Sequence, residues 1–439
     1  MKQLLKCLMA LGLLWQCPAA HAQLVFHSVE ELFAYADQHN ARLLLGQYES
    51  NVARLSTQQR RAALLPSVSL NANATDNLTL QPTLVPSVIF NPAAPSDAVT
   101  EVVFGKQYVY NANLMAQWDL VDFEKYVDIK LAQVNEAMQR AEINAQKAGL
   151  YTEIAAVFTS MVLLQAQISS QAQNLQSAIG IEQAASGKYE NGLIPAPVLN
   201  LSLAARLRAE QNLAQSKASL AIQHRHLALL LGTSDSIAIN FDLVETAPIA
   251  AAIPATDDSP AIELATLQTR MAALQLDKAK AASYPTLSAV YQYGTQVASD
   301  EWLSFGDSHS LPQQFVGLKM SVPIFTGLRN KHEREKQRQS LASAEFALEA
   351  QRDEQAATNE RLLLDFQKSK AQAAACEAIL ELYAANEAHY DHLLEAGLLD
   401  LETRLKYHND YLAQQQLWLQ SVGDLLVSQL NIQIQNIKF

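Results

Sequence analysis

The chain has 439 residues, 49% of them hydrophobic and 17% charged, with 14 glycines and 14 prolines. That balance excludes wholesale disorder, and so few breakers favour long uninterrupted elements. The net charge of −12 argues against a nucleic-acid binder, which presents a basic face; it says nothing about fold.

The N-terminus, MKQLLKCLMALGLLWQCPAAHAQ, has the three parts of a secretory signal. Lys2 and Lys6 precede an apolar stretch at residues 7–15, and Ala20-His21-Ala22 supplies a small-x-small cleavage site. Residues 1–22 are therefore expected to be removed, which takes the net charge from −12 to −14. A second reading, lipidation at Cys17, needs a small residue before the cysteine, and Gln16 stands there. Cys376 is the one cysteine outside the signal, so no intrachain disulfide is expected. No later segment has eighteen consecutive apolar residues, so no membrane-spanning helix is expected either.

The rest of the chain reads as one plan written twice: 23–245 and 258–439, joined by a linker at 246–257 within TAPIAAAIPATDDSP. The first repeat opens with a helix over about 28–62, where Ser28 and Glu31 form a capping box. Strands follow over about 67–80 and 102–120, separated by the long loop 81–101. A helix over about 124–190 and another over about 196–232 close the repeat. In the second repeat Ser259 and Pro260 open the first helix. Strands over about 286–297 and 314–325 follow, with a connection at 298–313. A helix over about 326–396 and a last one over about 399–437 complete it. Trp118 and Val322 stand 204 residues apart, and Gly192 and Gly397 stand 205 apart.

The strands alternate cleanly. Tyr110, Leu114 and Trp118 share one face of the second strand, while Asn111, Asn113 and Gln117 share the other. Asn71 in the first strand and Gln292 in the third fall on polar faces; Leu318 and Met320 in the fourth fall on an apolar one. Strands this long match the roughly 9–11 residues a tilted strand needs to cross a bilayer, against roughly 5–6 in ordinary domains. Four strands cannot close a barrel in hydrocarbon, where an open edge is not tolerated, but three copies supply twelve. Each long helix, at about seventy residues, runs roughly 100 Å and needs neighbours alongside. Leu150, Ile154, Val157 and Phe158 on one, and Cys376, Ile379, Leu380 and Tyr383 on the other, are the expected packing stripes.

No catalytic, cofactor or metal set emerges. Gly187-Lys188 lacks the glycine and the strand that a phosphate loop requires. His224 and His226 fall on different helix faces. His389 and His392 share a face without an obvious third ligand. An enzyme is not expected.

The duplicated strand–strand–long-helix plan, KYENGLIPAPVLNLSLAARLRAEQNLAQ at 188–215, HRHLALLLG at 224–232 and VPIFTGLRN at 322–330 resemble the outer-membrane efflux protein family, the TolC-like channels. The resemblance covers nearly the whole mature chain. It implies an α+β membrane protein: a homotrimer with a 12-stranded β-barrel, four strands per chain, continued by a long periplasmic α-helical barrel. It implies outer-membrane lipid around Tyr110, Leu114, Trp118, Leu318 and Met320, and a lumen lined by Asn71, Asn111, Asn113, Gln117 and Gln292. It implies a tip at Gly192, Leu193, Ile194 and Gly397, Leu398, Leu399, where a periplasmic adaptor (membrane fusion) protein docks. An inner-membrane pump or transporter drives the assembly, for efflux or type I secretion. The sequence departs from the best-known members where Pro197-Val198 replace Thr-Asp, and where Thr403 and Lys406 replace constriction aspartates. Asp400 and Glu402 are the candidate acidic ring in their place. The rival reading is a soluble periplasmic coiled-coil scaffold. N-terminal sequencing of the exported protein is expected to begin at Gln23, and a product that retains residues 1–22 contradicts the signal.

Overall fold

The computed structural model describes residues 24–239, 259–304 and 309–438. The expected signal and linker lie outside the described residues. The described residues form two compact units: one lies within Met1–Ser50, Met138–Thr266 and Ala347–Phe439, the other within Asn51–Ala137 and Leu267–Phe346.

The first unit opens with a three-residue strand, β1 (Leu24–Phe26), which pairs in parallel with β6 (Ile237–Ile239). Helix α1 (Val29–His39) starts at Ser28, whose hydroxyl accepts from the Glu31 amide, while Glu31 accepts from the His27 amide at 2.8 Å. Val29, Leu32, Phe33 and Ala36 are buried at helical spacing. They meet Leu150, Ile154, Phe158 and Met161 of α3 (Phe123–Glu190), Leu227 and Leu231 of α4 (Ala196–Leu231), and Leu426, Leu430 and Ile434 of α7 (Leu401–Gln435). By length and composition α3 contains a stretch apolar enough to cross a membrane. Its apolar side chains instead form the centre of this core.

The single helix expected over 28–62 is two helices. Asn40, 4% exposed, ends α1 and starts α2 (Ala41–Ala62). Its backbone turns extended, and its Oδ1 accepts from the Arg42 amide at 2.8 Å and the Leu43 amide at 3.2 Å. Its Nδ2 donates to the Leu230 carbonyl at 2.6 Å, which anchors the last turn of α4. That turn ends at Gly232 with φ 71, and a Cβ there would lie 2.3 Å from the His39 carbonyl oxygen. Only glycine fits both the conformation and the approach.

The second unit holds one four-stranded antiparallel sheet in the order β2 (Ser67–Asp76), β5 (Tyr108–Val121), β7 (Thr286–Ser299), β8 (His309–Ser321). The first strand stops at Asp76 rather than near 80. The loop expected at 81–101 contains most of a small hairpin, β3 (Pro82–Pro86) with β4 (Val99–Val103), in a sheet of its own. The fourth strand starts at His309 and ends at Ser321, earlier at both ends than expected. Helix α5 (Pro260–Ala281) precedes β7, and α6 (Arg329–Glu395) follows β8. At the head of α5 the Ser259 carbonyl accepts from the Ile262 and Glu263 amides, and its hydroxyl donates to Gln355 at 3.0 Å.

The stripe expected on α6 is not buried within one chain: Ile379 is 43% exposed and Tyr383 39%. Polar residues dominate α6 and its apolar side chains are scattered around the helix, so one neighbour cannot cover them.

Replacing Asn40 by Ala removes the start of α2 and the bond to Leu230 together. A loss of about 2 kcal/mol is expected in denaturant or thermal unfolding. Asn40→Asp, which keeps only the acceptor, should fall between Ala and wild type.

Candidate functional site

Two features stand out as functional surfaces: a pair of matching helical turns and a sheet with two chemically different faces.

The first turn follows Glu190. Gly192 adopts φ 70, its amide donates to Tyr189 at 2.8 Å, and the Leu193 amide donates to Lys188 at 2.8 Å. The second follows Glu395. Gly397 adopts φ 72, and the amides of Gly397 and Leu398 donate to Leu394 and Leu393 at 3.2 and 2.9 Å. Both are Schellman endings, in which a left-handed glycine satisfies the last carbonyls of the helix. Each projects an apolar residue, with Leu193 72% exposed and Leu398 76%. Ile194 and Leu399, which follow these leucines, are both half-buried.

The restarts differ. Helix α4 begins at Pro195 without a side-chain cap, whereas Asp400 caps α7 by accepting from the Thr403 amide at 2.8 Å and its hydroxyl at 2.7 Å. Those two bonds hold the Asp400 carboxyl below its ordinary range. Because the folded form favours the charged carboxylate, the cap is complete above the ordinary carboxylate range. It is lost only as the pH falls below that range. Glu402 lines a cleft of about 410 Å³ between α3, α4 and α7, together with Asn174, Arg208, Asn212 and Lys406. The two residues proposed together as an acidic ring thus have different roles within one chain: one is a cap, the other faces a cleft.

Sequence reasoning missed the charged clusters behind the turns. Arg404, its side chain 5% exposed, donates to both oxygens of Glu387 at 3.2 and 2.7 Å. His408 lies 3.2 Å from the same carboxylate. Behind the first turn Glu182 pairs with Arg206 at 3.1 Å. Glu182 and Glu387 stand 205 residues apart, the same offset as the two glycines. The signal was available: Leu401, Arg404 and His408 sit on the buried stripe of α7, and a cation on such a stripe requires an anion opposite.

In the sheet, directly paired residues share a face. Leu70 pairs with Leu114, Leu114 with Tyr293, Ala116 with Tyr291, Tyr291 with Val316 and Ala289 with Leu318. This register puts Tyr110, Leu114, Trp118, Leu318 and Met320 on one face. It puts Asn71, Asn111, Asn113, Gln117 and Gln292 on the other, where Asn71 pairs with Asn113 and Asn73 with Asn111. The polar face is not uniform, since Gln292 pairs with both Met115 and Phe315. Gly294 completes it: the Asn113 carboxamide occupies the space a Cβ would need, 2.0 Å from that position. Aromatic rings stand at both ends of the apolar face. Tyr108 and Tyr110 lie 5.3 and 6.1 Å from Trp302 at one end. Trp118 donates to the Leu64 carbonyl at 2.9 Å at the other.

The family model described as outer membrane efflux protein matches residues 33–233. No curated protein matches. Solved structures give the same fold at low identity. A membrane protein from Pseudomonas aeruginosa is 16% identical, with a TM-score of 0.73 over 94% of this chain and 91% of that one. CusC, described in connection with transmembrane channel formation, is 17% identical with a TM-score of 0.70, covering 92% and 90%. The Campylobacter jejuni CmeC outer membrane channel is 15% identical with a TM-score of 0.66, covering 93% and 84%.

Replacing Glu387 by Gln removes the carboxylate from a buried guanidinium. A loss of about 3 kcal/mol is expected, with faster amide exchange at the start of α7. Unchanged exchange there would mean that the cluster does not hold the turn.

Proposed function

We propose that the chain, whose residues 33–233 match the outer membrane efflux protein model, is a member of that family that lies in the outer membrane with a periplasmic extension, and that it is the passive exit duct of a tripartite efflux or type I secretion system. The observation that carries this reading is the sheet: four long strands, apolar on one face and polar on the other, with the outer edges of β2 and β8 unpaired among the described residues. In hydrocarbon each unpaired backbone group costs several kcal/mol. Three copies edge to edge close a twelve-stranded barrel and remove that cost.

The aromatic ends support the same picture. Tyr108 and Trp118 are ten residues apart, about 34 Å along a strand. At a tilt of 35–45° that is roughly 25 Å along the membrane normal, the height of the apolar band on such barrels. The polar face then lines a wet lumen through which solutes pass, and the chain performs no bond chemistry.

The two exposed leucines at the glycine turns supply the docking surface for a periplasmic adaptor, with Ile194 and Leu399 behind them. An inner-membrane pump provides the energy. The tip opens when adaptor contacts favour a different helix arrangement there, and the Glu387–Arg404 and Glu182–Arg206 pairs hold the resting one.

Outer-membrane fractionation and a heat-resistant trimer band on unboiled gels are the expected results; a soluble periplasmic monomer would overturn the reading. Replacing Leu114 by Arg puts a cation at mid-membrane and should cost about 2–4 kcal/mol of barrel stability. A variant barrel as stable as wild type would contradict the face assignment.

A further inference from the structure

The four junctions between sheet and helices lie on one edge of the sheet, because Ser67 pairs with Gln117, Asp119 with Ser288 and Thr286 with Ser321. The two edges differ in charge. At the far edge, residues 77–107 and 300–304 carry Asp97, Glu101, Asp300 and Glu301 against a single cation, Lys106, which pairs with Asp300. At the junction edge cations are frequent, and several are committed: Lys125 to Asp119, Lys278 to Asp128 and Lys280 to Asp277.

The segment after β8 is different. Val322, Ile324, Phe325 and Leu328 are 51%, 94%, 80% and 55% exposed, and Leu328 and Gly327 both adopt left-handed backbone, φ 65 and 63. Arg329, Lys331, His332 and Arg334 follow at once, all exposed. Further along, Lys336 and Arg338 pair with Glu333 and Glu335 at 3.3 and 2.9 Å. Arg334 donates only to the Asn330 carbonyl at 3.2 Å, and Arg329 and Lys331 have no acidic partner among the described residues. These cations do not serve the helix: α6 has no acidic residue in its first turn, where the dipole favours acids over bases. An exposed apolar run followed directly by unneutralised cations matches the boundary between hydrocarbon and anionic headgroups.

We infer that residues 322–334 form a docking patch for anionic phospholipid in the leaflet on the junction side of the sheet. Ile324 and Phe325 enter the acyl boundary, and Arg329, Lys331 and Arg334 take the phosphates. The inference rests on the outer-membrane reading and adds a lipid preference to it. Charge complementarity favours lipid over a second copy of this chain: a headgroup layer offers phosphates directly beside hydrocarbon, which matches cations that directly follow an exposed apolar run.

The test is native mass spectrometry of the purified full-length assembly titrated with phosphatidylglycerol and, separately, phosphatidylethanolamine. Wild type should retain phosphatidylglycerol preferentially. The triple variant Arg329→Gln, Lys331→Gln, Arg334→Gln should lose that preference at least ten-fold, since each cation near an anionic surface is worth about five-fold. The charge-keeping triple Arg329→Lys, Lys331→Arg, Arg334→Lys should restore it. Equal retention of both lipids by wild type, or full preference in the Gln triple, overturns the inference. Loss of the trimer in the Gln triple, with no change in lipid preference per chain, also overturns it and gives the patch to a neighbouring copy. A wild type absent from the outer-membrane fraction defeats the outer-membrane reading itself, independently of any lipid preference.

Discussion

Backbone hydrogen bonding in a medium without water is the constraint on which the proposed architecture depends. The β2 and β8 edges present rows of amides and carbonyls with no strand partner among the described residues, beside a face carrying Leu70, Leu114, Val316 and Leu318. A soluble protein would have to cover that face with a second layer, and the described residues of this unit supply no second sheet of comparable size. In hydrocarbon the face needs no cover but the edges must close. One chain is then a fragment of a wall, and its assembly follows from the same groups that fold it.

The chain meets the opposite problem in its other unit. There a conventional core forms: the apolar stripes of α1, α3, α4 and α7 converge on Phe158, Leu32 and Leu231, and a short parallel pair, β1 with β6, seals one part of it. Burial pushes the Tyr151 hydroxyl well above its ordinary range, with the Asp37 carboxylate adding to the effect. Two polar devices tie the helix ends together, the Asn40 carboxamide and the closely packed Gly232. Both answer backbone groups that a helix end leaves unsatisfied, and both reach residues far away in sequence, Leu230 for Asn40 and His39 for Gly232.

The two glycine turns keep one geometry while their surroundings differ. The two glycine turns share their left-handed residue, their hydrogen bonds and their exposed leucine. The glutamates behind them keep the same offset but hold different arginines, Arg206 behind one turn and Arg404 with His408 behind the other. Asp400 caps the second restart where Pro195 stands in the first. The backbone turn tolerates little variation because it needs φ near +70, whereas an ion pair can be rebuilt from any position that reaches the carboxylate. The segment after β8 follows the same logic under the lipid inference: among the described residues Arg329 and Lys331 have no acidic partner, which leaves them for an anionic headgroup.

Much of this was legible in the residues. The period-two alternation of Tyr110 to Trp118 and the period-3.6 stripe of Leu150 to Phe158 are local signals, and local sterics and solvent alone produce them. The capping box at Ser28 and the glycines at 192 and 397 are equally local, since each satisfies backbone groups within six residues. What stayed hidden depended on partners distant in sequence. The helix break at Asn40 is stabilised by the carbonyl of Leu230, and β1 and β6 are too short for any periodicity to announce them. The β3–β4 hairpin sits in a stretch rich in Pro and Ser that reads as loop. The pairing of Glu387 with Arg404 required knowing which faces of α6 and α7 meet. Composition and spacing settle what each segment prefers on its own; which far-apart groups end within hydrogen-bonding reach is decided by packing, because that reach is only about 3 Å and no sequence separation predicts it.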